Sequence, residues 1–228
     1  MSQVDAAPGS ERIKQKRGRK TYDALIATGF KLLANREFES ITIAELARAA
    51  GYSVGAFYAR FKSKDEYFDA LLAHHISERR RIRERMFAEA DGTDWVRDVI
   101  EEAVNYYWRR RRFWRAALMR SIHDSEFWQP VREQGHDFAT LCVKQIEREA
   151  GRALTREEEM NVRFAVQIAL GTINNTIINR PGPIFMGQAE FVDNLARAFR
   201  LVSGYDEIVG AKRSRKRVPV NSGAARGA

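Results

Sequence analysis

The chain has 228 residues, with 39 Lys and Arg against 30 Asp and Glu, a formal net charge of +9. Its 44% hydrophobic and 11% aromatic content supports a packed core and excludes a chain that is disordered throughout. A single cysteine, Cys142, excludes a disulfide framework and a thiolate metal cluster, and no apolar run is long enough for a membrane span. The first twenty residues lack the apolar stretch of a secretory signal, so a soluble cytoplasmic protein is expected.

The charge is unevenly placed. Residues 1–20 carry Arg12, Lys14, Lys16, Arg17, Arg19 and Lys20 against Asp5 and Glu11, and residues 211–228 carry six bases and no acid. The body between them is close to neutral. Charge blocks of this kind attract polyanions and are typically disordered, so 1–18 is read as a basic arm and 206–228 as a basic tail, both disordered.

The elements in between read as helices. No proline falls between Pro8 and Pro130, and alternating β-branched runs with hairpin turns are absent. The first helix is expected over Thr21–Asn35, the second over Ile43–Ala50 and the third over Val54–Phe61. The fourth starts after Ser63 and ends at Asp91-Gly92-Thr93. The fifth spans Asp94–Arg111, the sixth Phe113–Ile122, the seventh Glu126–Ala150, and the eighth runs from Thr155 to Arg180-Pro181-Gly182-Pro183. A ninth covers Gln188–Ser203. Thr42-x-x-Glu45, Ser63-x-x-Glu66 and Thr155-x-x-Glu158 each fit the capping box, in which the hydroxyl and the carboxylate satisfy each other's first-turn N–H groups. The expected fold class is all-α.

The segment Ile41–Phe61, ITIAELARAAGYSVGAFYARF, carries the function. Two short helices are joined by a tight turn. Ala47 is small enough for close helix approach, Gly51 suits a left-handed turn, and Phe57 buries the back of the second helix. This is the pattern of a helix-turn-helix, whose second helix enters the major groove of DNA. Ser53 caps that helix, and its bare N-terminus favours a phosphate. Val54, Gly55 and Ala56 leave the outer face low enough to approach base edges, and Ala56 can touch a thymine methyl. Tyr58, Arg60, Lys62 and Lys64 supply phosphate contacts, as does the second helix start at Thr42. Arg17, Arg19 and Lys20 lie beside this reader and can follow phosphates or enter a minor groove.

Thr21 through Leu72 resembles the DNA-binding domain of the TetR family of transcriptional regulators. The resemblance rests on Thr42, on the turn Ala50-Gly51-Tyr52-Ser53, on Gly55-Ala56-Phe57-Tyr58, and on Phe61-Lys62-Ser63-Lys64-Asp65. Arg60 stands where such sequences often have His. The resemblance implies a DNA-binding domain at 19–78, a helical ligand-binding and dimerisation domain at 79–205, a homodimer on duplex operator DNA, and release by a small-molecule effector.

The larger domain is less legible. Its dense aromatics suit a flat or greasy ligand, and the candidate lining is Tyr106, Tyr107, Phe113, Trp114, Phe138 and Phe164 with the polar Gln167, Thr172 and Asn174. The alternative for each aromatic is ordinary core packing. Phe164, Ile168 and Ile178, with Phe191, Leu195, Phe199 and Val202 in the next helix, form apolar stripes read as a four-helix dimer interface. Two-fold symmetry would then set two reading helices about 34–36 Å apart. The arginine runs 79–85 and 109–112 read as solvated helix faces. The four histidines lack partners at ligand spacing, and no nucleophile motif is present, so no metal, no cofactor and no enzymatic activity is expected. A nonspecific, architectural DNA-binding protein driven by the basic ends is the competing reading. An all-α small-molecule binder or enzyme is the other, although it would need polar catalytic pairs that the sequence does not display.

Overall fold

The computed structural model describes the backbone of residues 8–90 and 94–216, and the side chains of 17–90 and 94–210. Ten α-helices follow in order: α1 (Pro8–Leu33), α2 (Ile43–Ala49), α3 (Val54–Tyr58), α4 (Lys64–Ala88), α5 (Trp95–Arg109), α6 (Arg111–Ser121), α7 (Gln129–Ala150), α8 (Arg156–Asn179), α9 (Ala189–Ser203) and α10 (Tyr205–Lys216). A short 3-10 turn, Phe38–Ser40, lies between α1 and α2. No strand occurs among the described residues, and the chain is all-α.

The expected caps form. Thr42 and Thr155 each accept from the N–H three residues on, at 3.2 Å, while Glu45 and Glu158 reach back to the cap N–H at 2.9 and 2.8 Å. Ser63 accepts from Glu66 N–H at 3.0 Å, but Glu66 returns to Lys62 N–H, one residue earlier than a capping box requires.

Two segments differ from the expectation. Helix α1 starts at Pro8 rather than Thr21, so most of the basic arm is helical backbone. Proline is well placed at a first helical position, and the Glu, Lys, Gln and Arg that follow are good helix formers. At the other end, Gly204 ends α9 in the left-handed conformation (φ 67°), and α10 starts at once instead of a disordered tail. Its first turn is tied down: Tyr205 Oη donates to Glu149 at 2.6 Å, Arg200 pairs with Asp206 at 2.9 Å, and Ile208 is buried. The Asp91-Gly92-Thr93 break and the ends of the basic segments, 1–7 and 217–228, lie outside the described residues.

The chain divides into two compact units, neither contiguous in sequence. The first is Met1–Ile82, Asn105–Val131 and Ile177–Arg180; the second is Arg83–Val104, Arg132–Thr176 and Pro181–Ala228. A cut at 78/79 would fall inside α4, which runs unbroken through that position.

In the first unit Leu25, Ile26, Phe57, Tyr67, Phe68 and Trp114 are the hub of the core. Helix α6 is fastened at both ends. Arg112 in its first turn donates to Ala34 O at 2.5 Å and pairs with Glu37 at 3.3 Å, and Arg120 in its last turn pairs with Asp69 of α4 at 2.9 Å. In the second unit Phe87 and Phe199 pack against Trp95, with centroids 5.5 and 6.1 Å away.

Two arginines expected on a solvated face are in the core. Arg79 is fully buried, its guanidinium 4.6 Å from the Tyr106 ring and 5.5 Å from Tyr107. Arg83 is buried over Phe138 at 4.3 Å and donates to Gln134 O. Stacking on aromatic faces lets a guanidinium occupy space that its charge alone would forbid.

Candidate nucleic-acid interface

The reader is built from α2, the turn and α3. Helix α2 ends in a Schellman motif: Tyr52 N–H donates to Ala47 O at 2.9 Å and Gly51 N–H to Arg48 O at 3.0 Å. Gly51 takes φ +79°, with no atom within 4 Å of a Cβ built on it. The glycine is therefore required by backbone conformation and not by space. Gly51→Ala should cost about 1–2 kcal/mol and Gly51→Asn less, because Asn tolerates the left-handed region. Chemical denaturation of the two variants checks that order, and equal costs would show that something other than φ decides.

After the turn, Ser53 Oγ accepts from Ala56 N–H at 3.1 Å, the N-cap expected of α3. Helix α3 is one turn long and ends at Tyr58, not Phe61. Arg60 N–H bonds Phe57 O at 2.8 Å, tightening the chain toward the start of α4. Its inner face is Phe57, fully buried, with Phe61 at 5.3 Å and Tyr67 at 5.5 Å. Tyr67 Oη donates to Leu25 O at 2.8 Å and so ties α4 to α1; burial pushes its phenol well above the usual range.

The outer face is open. Val54 is 40% and Tyr58 53% exposed, with Ser53 and Gly55 exposed beside them and Ala56 half-buried. Tyr58 meets Phe57 edge-on at 5.5 Å, which holds the ring at the surface. Thr42 is exposed at the start of α2, and its hydroxyl is spent on Glu45. The Glu45 carboxyl is held down at about 2, first by Thr42 N–H, then by Arg36 and the Thr42 hydroxyl. A depressed carboxyl contributes above its ordinary value of 4.5 and fails only as pH falls through about 2, so this cap stays closed at any ordinary acidity.

The basic candidates do not all point outward. Arg17, Arg19 and Lys20 are exposed on α1, and Lys62 is exposed after α3. Arg60, also exposed, lies back toward α1: a Cβ on Gly18 would stand 2.7 Å from its guanidinium. Lys64 is turned inward. Its Nζ donates to Glu39 O at 3.2 Å and sits 4.5 Å over Phe38, and burial lowers its pKa. The 3-10 turn that captures Lys64 carries no sequence signal beyond Phe38 itself. Arg36, which braces Glu45 at 3.2 Å, is a supporting residue that the sequence reading did not single out.

The other candidates fare differently. Tyr106, Tyr107, Phe113 and Trp114 are buried and packed around His75, whose ring stacks on Trp114 at 4.8 Å. They are core of the first unit, and Phe138 is core of the second. Phe164 and Gln167 are exposed, and Thr172 and Asn174 half-buried, on α8. None of these nine lines the cavity between α4, α6 and the start of α7, or the one at the α4–α7 edge lined by Glu84, Phe87, Leu141 and Arg148. Of the interface candidates, Phe191, Leu195 and Phe199 are buried within their own unit, and Phe199 packs against Trp95. They cannot be the exposed face of a monomer. Ile168, Ile178 and Val202 are half-buried, and the exposed apolar side chains of α8 and α9 are Met160, Phe164 and Leu201. No group of three His, Cys, Asp or Glu among the described residues could hold a metal ion, and no helix among them is long and apolar enough to cross a membrane.

Comparison with known proteins meets this geometry at the same place. Residues 25–71 match the family model of bacterial regulatory proteins, tetR family. A 66-residue stretch is 36% identical to the HTH-type transcriptional regulator YwcC of Bacillus subtilis (strain 168), over 29% of this chain and 27% of that protein. The match therefore spans about a quarter of the relative's length. A tetR-family regulator from Streptomyces coelicolor superposes with a TM-score of 0.61 at 20% identity, over 86% of this chain and 88% of that one. A structure assigned to the same family from Mesorhizobium loti gives 0.65 at 13% identity, over 84% and 98%. The two structures share the fold over most of the chain, and the matched segment coincides with the capped turn and the open face of α3. Residues 25–71 are thus similar to the DNA-binding domain of the TetR family of transcriptional regulators, and the chain shares the fold of structures assigned to that family.

Proposed function

We propose that the protein is a homodimeric repressor that reads operator DNA through α3 and leaves it when a small-molecule effector binds. The observation that carries the DNA reading is the outer face of α3: a Ser53-capped N-terminus with Ser53, Val54, Gly55 and Tyr58 exposed and no bulky side chain before Tyr58. Such a face can lie close to base edges while N–H groups and the Tyr58 hydroxyl hold phosphates. Arg17, Arg19, Lys20 and Lys62 add charge that contacts the backbone without choosing a sequence. Lys64 and the hydroxyl of Thr42 serve the domain's own structure. The exposed Met160, Phe164 and Leu201 support pairing of α8 and α9 with a second copy.

The test is binding to DNA from upstream of the protein's own gene, with unrelated DNA as competitor. Tyr58→Ala should weaken specific binding at least tenfold with the melting temperature unchanged, since Tyr58 is 53% exposed and outside the core. Normal binding by that variant would refute the role of α3. Equal competition by unrelated DNA would favour the architectural reading.

A further inference from the structure

A cavity of about 560 Å3 opens in the first unit between the N-terminal half of α4, the end of α6 and the turn into α7. Its floor is apolar, with Leu72, Ala73, Ile76, Phe127 and Pro130, and its rim carries Asp69, Asp124 and Glu126 against Arg80 and Arg120. The volume suits a drug-sized molecule.

The rim is not neutral. It holds three carboxylates and two guanidiniums, and one guanidinium is already shared. Arg120 pairs with Asp69 at 2.9 Å and Asp124 at 3.6 Å, and stacks 4.3 Å over Phe127. Even so, the Asp69 carboxyl is raised above its ordinary range, by burial first, with Asp124 and Asp65 adding to it against the opposing pull of Arg120. By count the lining carries one more carboxylate than guanidinium. An incoming cation relieves that excess, and an incoming anion deepens it by facing three carboxylates. The same Asp69–Arg120 pair is one of the two fastenings that hold α6 to the reader's domain.

We propose that this cavity binds a cation carried on an apolar body, an amine or onium group, which competes with Arg120 for Asp69 and so loosens α6 from α4. The proposal rests on the effector-release reading above and names its site and ligand class. Apolar burial against Leu72, Ile76 and Phe127 supplies affinity, and the carboxylates choose the sign.

Tetraphenylphosphonium and tetraphenylborate are matched in shape and opposite in charge, which makes them the probes. Calorimetry on the full chain should show the phosphonium binding at least tenfold tighter than the borate. Glu126→Gln and Asp124→Asn, which keep shape and leave the Asp69–Arg120 pair in place, should each weaken it at least fivefold without changing DNA affinity. Adding the phosphonium should release bound DNA. Equal or tighter binding of the borate overturns the ligand class, and unchanged affinity in both variants overturns the site. Binding that leaves the DNA complex intact overturns the competition with Arg120. No binding by a chain that still shifts its DNA overturns the inference and leaves the DNA reading standing. Phosphonium binding sensitive to both variants, in a chain that binds no DNA, supports the site and refutes the DNA reading instead.

Discussion

Phe57→Ala should cost about 3–5 kcal/mol and abolish DNA binding through loss of the domain rather than of a contact. The ring is fully buried and is touched by the rings of Tyr58, Phe61 and Tyr67, which come from α3, the turn after it and α4. Truncation leaves a cavity at the only apolar anchor buried within one turn of helix, and a helix that short has almost no stability of its own. The surrounding elements are fixed by caps and by the Tyr67 bond to Leu25 O, so collapse into the hole is limited. Phe57→Leu, which restores most of the volume, should cost under about 1.5 kcal/mol and retain binding. Denaturant unfolding of the first unit together with DNA titration measures both. A Phe57→Ala chain as stable as the parent would mean that α3 is not held by its inner face. The contrast with Tyr58→Ala separates the two neighbours: one residue supports the helix and the next is exposed on it.

The second large effect runs against helix propensity. Gly29 sits inside α1, where replacing glycine by alanine ordinarily stabilises by about 1 kcal/mol. Here a Cβ would collide with Tyr67 Oη and stand 3.1 Å from a Leu71 methyl. The hydroxyl cannot swing aside freely, because it is buried and bonded to Leu25 O at 2.8 Å. Gly29→Ala should therefore destabilise by about 2–3 kcal/mol, combining overpacking with a broken hydrogen bond. Tyr67→Phe alone should cost about 1 kcal/mol. In that background the hydroxyl is gone, and the alanine should cost at least about 1 kcal/mol less than it does alone. Thermal or denaturant unfolding of the four chains measures the coupling. Additive costs, or a stabilising Gly29→Ala, would contradict the close approach of α1 and α4.

The reader was legible because its determinants are local. A cap, a left-handed glycine, a small residue and one buried aromatic fall within Thr42–Phe57, and each acts on its immediate neighbours. The same locality explains the helix count up to α9. What escaped depends on partners distant in sequence. Arg79 reads as part of a charged run until Tyr106 and Tyr107 of α5 are seen to face it. The stripe of α9 has the correct period, but periodicity does not say whether Trp95 or a second copy covers it. Lys64 is basic and beside the reader, and only the 3-10 turn at Phe38–Ser40 reveals that it faces inward. Aromatic density suggested a ligand pocket, whereas Tyr106, Tyr107, Phe113 and Trp114 fill one another's space. The cavity at Asp69 and Arg120 draws on none of these aromatics.

The double fastening of α6 bears on how such regulators can be recombined. A chimera joined near residue 78 would transplant Ala34, Glu37 and Asp69 but leave behind Arg112 and Arg120, which hold them. The graft would carry Asp69 without its counter-charge and expose the aromatic seam of Phe68, whose ring meets Phe113 at 5.4 Å. The transferable module is thus a discontinuous one, in which 105–131 travels with the reader although more than twenty residues of the other unit interrupt the sequence between them.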